Sequence, residues 1–172
     1  EQEIPVFVWD TASASLGGGW QTIVAAEMAL AGASFEDVVA DLPDIQRRIV
    51  TVFTVNTLKH LVAGGRLSPV QGMMGTLLNV KPMLIIDDGL LKPIGRERGR
   101  KSAKAALIDL VRNRVGDRPV RIAIVNANVP DEAHAFEPDV RASLNVNELI
   151  VVELGPALAA QAGPGIIALG AL

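Results

Sequence analysis

Few side chains in this sequence combine a reactive type with a telling spacing. The first stretch that does is "GPALAAQAGPG", residues 155–165. It holds Pro156, Pro164, three glycines and four alanines around one functional side chain, Gln161. Small residues and prolines at that density fix a backbone path and clear room beside it. A lone amide in such a setting can meet a polar head group through its N–H and C=O. It cannot act as a nucleophile or a general base.

Two further stretches resemble phosphate loops only in outline. In "SLGGGWQT" (15–22), Gly17 and Gly19 fit the first two positions of G-x-G-x-x-G, but Thr22 stands at the third, and no strand-end acid follows about twenty residues on. A tight, closely packed turn fits this stretch better. In "GRERGRKS" (95–102) the spacing to Lys101-Ser102 does not fit a P-loop, and a hairpin rather than a parallel strand precedes it. What remains there is charge. From Lys92 to Lys104 six basic residues stand against one acid, Glu97. Arg96, Arg98, Arg100 and Lys101 are expected at a helix N-terminus, where the macrodipole disfavours cations. That concentration points to an anionic partner. No Tyr or Phe interleaves, which argues against stacking on nucleic-acid bases. His60 and His134 are far apart and have no Ser or acid arranged around them. Met73, Met74, Leu77 and Leu78 share a helical face that is either core or the wall of a site for a flexible apolar ligand.

These residues must be positioned by an aliphatic protein. The chain has 172 residues, 49% of them hydrophobic, with two Trp, four Phe and no Tyr. Such a length suits one domain with a sizeable core. The net charge of −3 argues against broad affinity for nucleic acid or anionic membranes. The lack of cysteine excludes disulfides, thiolate metal sites and thiol catalysis, and fits a cytoplasmic setting. No apolar run reaches the roughly 18 residues of a membrane span, and no signal peptide is visible.

Periodicity supplies the elements. Ile4–Trp9 reads as a strand. A helix from about Trp20 carries Trp20, Ile23, Val24, Met28 and Ala31 on one face and ends at Gly32. Ser34 and Asp37 form a capping-box start for a second helix, with Pro43 as a kink or break. Thr51–Thr54 is a short strand, and a short helix through Leu58, Leu61 and Val62 stops at Gly64-Gly65. Ser68-Pro69 opens another helix, the one bearing Met73, Met74, Leu77 and Leu78. Pro82–Ile86, Asp87-Asp88-Gly89 and Leu90–Ile94 read as a hairpin. A helix through Ala103–Val111, a strand at Val120–Val125, a helix over Pro130–Ser143 interrupted at Pro138, and strands at Glu148–Leu154 and Ile166–Ala171 complete the chain. Between the last two strands lies the opening stretch, read as a loop. The fold class expected is α/β, a mixed sheet with an antiparallel hairpin and flanking helices.

Several stretches together resemble one family. "VFTVNTLKHLVAGGRLSPVQGMMGTLLNVKPML" (52–84) is similar to the DegV hallmark of a strand ending in D/N-T-L, then G-G-R-[IL]-S and N-[IV]-K-P. "RERGRKSAKAAL" (96–107) matches its R-G-R-K segment, "ELGPALAAQAGPGIIALG" (153–170) its closing segment, and "DTASASLGGG" (10–19) its D-S-x-x-A-S-x-G segment. The blocks occur in family order and cover nearly the whole chain.

The resemblance implies a lipid-binding protein, not a catalyst, that needs no cofactor. DegV proteins hold one long-chain fatty acid between two α/β domains and present its carboxylate to a separate fatty-acid kinase subunit. Here the resemblance covers the later, larger part of the family's chain. It implies one α/β domain over 1–172, with 1–50 as a strand plus two helices joining an N-terminal domain that lies outside this sequence, and 51–172 as the main body. Carried over, Met73, Met74, Leu77 and Leu78 become the acyl-tunnel wall, and Arg66 a residue near the head group or the docking face. Arg98 and Arg100 become the face toward the kinase subunit. Gln161 falls where the family has a carboxylate-binding His, a departure. The expected partners are a long-chain fatty acid and the kinase subunit, with no nucleic acid and no stable membrane insertion. The alternative is an interaction module of the same fold that has lost or altered lipid binding.

Overall fold

In the computed structural model, residues 4–67 and 79–172 are described. They form six strands and six helices: α1 (Leu16–Leu30), α2 (Phe35–Arg48), β1 (Val50–Thr54), α3 (Lys59–Ala63), β2 (Val80–Asp87), β3 (Leu90–Arg98), α4 (Arg100–Val115), β4 (Val120–Asn126), α5 (Pro130–Ser143), β5 (Val146–Glu153), α6 (Pro156–Ala162) and β6 (Ile167–Ala171). The expected helix with Met73, Met74, Leu77 and Leu78 lies outside the described residues.

The strands make one mixed sheet in the order β3-β2-β1-β6-β4-β5. Every pairing is antiparallel except β4 with β5, which is parallel. Only that pair needs a crossover, and α5 supplies it. Each strand alternates between two cores. Val50, Val52, Ile122, Ile124, Ile167 and Leu169 face α4 and α5, whose Leu107, Val111, Phe136 and Val140 are fully buried. Phe53, Val55, Ala123, Val125 and Ala168 face the other side, against Trp20 of α1, Ile45 of α2, Leu61 of α3 and Ala162 of α6. The second face holds the site.

The hairpin forms as its sequence predicts. Asp88 and Gly89 both take positive φ, 51° and 73°, the two-residue turn whose twist matches its strands. The capping box also forms: the Asp37 N–H donates to Ser34 Oγ at 3.1 Å, and the Ser34 N–H and hydroxyl donate to Asp37 Oδ2 at 3.3 and 2.6 Å.

Four sequence expectations are corrected. Residues 4–9 form no strand. Ile4, Val6 and Val8 are 83, 84 and 90% exposed, and an extended segment with no neighbour to bond lacks what makes a strand. Trp9 instead donates its indole N–H to the buried Gln21 at 2.7 Å. The first helix starts at Leu16, four residues before Trp20, because Gly17, Gly18 and Gly19 are its first turn rather than a loop. Helix α5 runs through Pro138, and α2 through Pro43, without a break. Residues 156–162 are not loop but helix α6, with Pro156 at its N-terminal turn and Gly163 beyond its end at φ 82°. Alanine-rich sequence is the best helix former, so the residues that suggest open space are wound into a helix by their own propensity.

Candidate functional site

A cavity of about 300 Å³ lies on the α1–α3–α6 face of the sheet. That is near the lower bound of small-molecule sites, roughly 300–1,000 Å³. Its walls are aliphatic or aromatic, among them Phe53, Leu61, Leu91, Val125 and Ile166. Five polar side chains reach it: Ser13, Ser15, Thr51, Arg66 and Gln161. They divide between two ends, because the cavity runs along β1.

Toward the C-terminal end of β1, Arg66 and Gln161 both line the cavity, and the Gln161 side chain lies beside Gly64. Strand β1 leads into α3, whose C-terminus closes with the Arg66 N–H donating to the Leu61 carbonyl at 2.9 Å and the Gly65 N–H to the Val62 carbonyl at 3.0 Å. This paired closure throws the chain back and leaves Arg66 just past it. Its side chain is exposed and Nη1 donates to the Gly64 carbonyl at 2.8 Å. Gln161 stands in the last turn of α6, immediately before β6, whose Ile167 pairs with Thr54. The two short helices pack closely. A side chain at Gly163 would collide with the ring of His60 from α3, so glycine there serves both positive φ and close approach.

At the N-terminal end of β1 stand Ser13 and Thr51. The loop ahead of α1 carries two non-glycine residues at positive φ, Ala12 at 44° and Ser15 at 53°. It is held by the Gln21 amide, which donates to the Thr11 carbonyl at 2.9 Å, and by the Gly89 N–H, which donates to the Ala12 carbonyl at 2.9 Å. The hairpin tip therefore docks on this loop at that end of the cavity. Gly17 admits no side chain, because Ser13 Oγ and Thr51 Oγ1 both converge over its Cα. The glycine run that resembles a phosphate loop thus serves close packing.

Among the described lining residues Arg66 is the one ionisable side chain. The hydroxyls of Ser13, Ser15 and Thr51 have no histidine or carboxylate in that lining to activate them. A permanent cation and an amide at one end of an apolar cavity fit an amphiphile with an anionic head. Among the described residues no group of three His, Asp or Glu could hold a metal ion.

The structure brings Arg66 and Gln161 together, as residues 95 positions apart in sequence, and places Arg98 and Arg100 elsewhere. Arg96 and Arg98 are exposed on β3 rather than at a helix N-terminus, a further correction; only Arg100 and Lys101 open α4. Arg100 turns inward, its Nε donating to Glu132 of α5 at 2.8 Å. Arg98 pairs in register with Val80, beyond the Met83 that faces Thr54, so it lies at the same end of the sheet as Arg66 and Gln161. Ser13 and Thr51 were not singled out by spacing. Ser13 sits in the quoted "DTASASLGGG" segment, whereas Thr51 reads as one more β-branched strand residue, and nothing in the sequence marks its hydroxyl.

The described residues form an α/β fold with a half-open, largely apolar cavity that Arg66 and Gln161 both line. The DegV family model, described as that of an uncharacterised protein, matches residues 1–172, and the chain belongs to the DegV family. It is 32% identical over 168 residues to a DegV domain-containing protein of Streptomyces coelicolor, covering 97% of this chain and 60% of that one. Among solved structures it is similar to a DegV lipid-binding protein of Thermotoga maritima, with a TM-score of 0.90 and 30% identity over 99% of this chain and 60% of the other. It is also similar to a fatty-acid-binding DegV protein of Thermus thermophilus, with a TM-score of 0.87 and 36% identity over 96% of this chain and 60% of the other. The chain therefore spans about 60% of the length of the relatives it matches. Among the described residues no helix is long and apolar enough to cross a membrane.

Proposed function

We propose that this chain supplies most of the site for one long-chain fatty acid. The carboxylate lies at the Arg66–Gln161 end and the acyl chain runs along β1. The observation that carries this reading is the about 300 Å³ apolar cavity with a guanidinium and an amide gathered at one end. The fatty-acid-binding relatives support it. The protein is then a carrier, not an enzyme, and it offers the carboxylate to a separate kinase subunit. Arg98 is the docking residue, exposed at the same end of the sheet as the head group. Arg100, engaged with Glu132, braces α4 against α5 behind it. Met73, Met74, Leu77 and Leu78 complete the acyl wall in this reading.

The test is extraction and native mass spectrometry of the protein at its native length. A co-purifying long-chain acid, about one per chain, is expected. Protein that is empty, and stays empty after incubation with fatty acid, would overturn the carrier reading. If it then still bound a kinase subunit, the interaction-module alternative would stand.

A further inference from the structure

The cavity has two polar ends, and head-group binding accounts for one. Thr51 precedes Thr54 by three residues, and a strand rises about 3.3 Å per residue, so Thr51 lies roughly 10 Å further from the Arg66–Gln161 end than Thr54 does. Thr51 is 6% exposed, and its Oγ1 is buried with no hydrogen-bond partner among the described residues. Buried hydroxyls are rarely left in that state, because the lost hydration is not replaced. Its strand neighbours Val50 and Val52 show what the backbone would accept at no such cost. Across the strand it faces Ile86 and Gly170, which offer no side-chain partner.

Beyond this point the surroundings become polar. A second cavity, of about 230 Å³, is lined by Gln21, Gln46, Asp87 and Arg114, and it shares Ser13, Thr51 and Ile86 with the first. Ser13 and Thr51 thus stand between an apolar cavity and a polar one. A methyl-ended chain reaching them leaves the Thr51 hydroxyl as it is, buried and without a partner. A chain bearing its own hydroxyl can accept from Thr51 and donate to it.

We propose that the preferred ligand is a fatty acid with a hydroxyl on the distal part of its chain, and that Thr51, with Ser13 beside it, hydrogen-bonds that hydroxyl. This rests on the fatty-acid reading above and adds what the far end of the chain must look like.

The experiment titrates hexadecanoic acid and ω-hydroxyhexadecanoic acid into the protein at its native length, and into Thr51→Val. The parent should bind the hydroxy acid about threefold to tenfold more tightly, the worth of one net hydrogen bond. Thr51→Val should bring the two affinities together. Should that variant fail to fold by circular dichroism, Ser13→Ala is the substitute and should narrow the same gap. No preference in the parent, or a preference that survives in the folded variants, overturns the inference while leaving the fatty-acid reading intact. Binding of neither acid overturns both.

Discussion

At the scale of single residues, the head-group end turns on Gln161. A glutamine donates through a neutral amide, whereas a histidinium adds charge. Hydrogen bonds to charged groups contribute roughly 1.5–3 kcal/mol against roughly 0.5–1.5 for neutral ones. The difference of about 1 kcal/mol is close to a fivefold change in affinity. Gln161→His should therefore bind a fatty acid about fivefold more tightly. The gain should appear as pH falls through an imidazole value near 6.5, since only the protonated ring supplies the charge. Titration of hexadecanoic acid at pH 8 and pH 6 checks it. Equal affinities for parent and variant at both pH values would mean that Gln161 does not reach the head group. Arg66 is different in kind. Its guanidinium offers a charged fork of donors where Gln161 offers a neutral amide. The sequence shows both residue types. It does not show that they line one cavity, because that depends on how α3 and α6 close against each other around Gly163 and His60.

At the scale of elements, the start of α2 is a local unit that can be tested by pH. The Ser34 hydroxyl first, then its backbone N–H, holds the Asp37 carboxyl below the usual carboxylate range. A group with a lowered folded-state pKa contributes stability that is present above its unfolded value, about 3.9. That contribution is lost as pH falls through this value toward the lower folded one. Asp37→Asn should therefore be less stable than the parent near neutral pH, and the gap should shrink as the solution is taken to about pH 3. Urea midpoints for both proteins at the two pH values are the measurement. A gap of the same size at both would show that the carboxylate charge does not matter to the cap. This box is legible in sequence because every partner lies within three residues. Helix α6 is the opposite case. Its glycines and prolines read as loop, yet six consecutive positions of high helix propensity sit between Pro156 and Gly163, and propensity prevails over that impression. The failed strand at 4–9 has the reverse cause. Its β-branched pattern is a real preference, but strand identity belongs to a pair, and among the described residues no strand pairs with it.

At the scale of the whole molecule, ligand and fold are linked by mass action. A fatty acid that binds the folded chain alone, at a free concentration one hundred times its Kd, stabilises it by about 2.7 kcal/mol. For a chain of this size each kcal/mol moves the melting temperature by roughly 2–4 °C. Delipidated protein should thus melt about 5–10 °C below protein saturated with hexadecanoic acid. Calorimetry showing no shift on adding the acid would contradict a site inside the core. The docking role proposed for Arg98 is tested at the same scale. Arg98 is exposed, outside the cavity lining, at the same sheet end as the head group. Charges at the rim of an interface act mainly on association and on its salt dependence. Arg98→Ala should therefore slow phosphoryl transfer to the bound acid by a partner kinase and flatten the salt dependence of that rate. If lipid affinity falls by the same factor, Arg98 belongs to the head-group site and not to docking.

What the sequence determined by itself is whatever depends on neighbours along the chain. The hairpin is set by Asp88-Gly89, the capping box by Ser34 and Asp37, and the stop of α3 by Gly64-Gly65. The alternating apolar runs determine an α/β fold with a mixed sheet, and motifs in family order are enough to place the chain among DegV proteins. What only the tertiary structure decided is whatever depends on two distant segments sharing one volume. The strand order puts β6 beside β1, and so brings the end of α6 to the end of α3 and Gln161 to Arg66. The docking of the hairpin tip on the loop before α1 shapes the end of the cavity beside Thr51. Arg100 is drawn from an open basic cluster into an ion pair with Glu132, an acid 32 residues away. Periodicity reports which face of an element is apolar. It carries no information on which other face will lie against it, or on the space left between them.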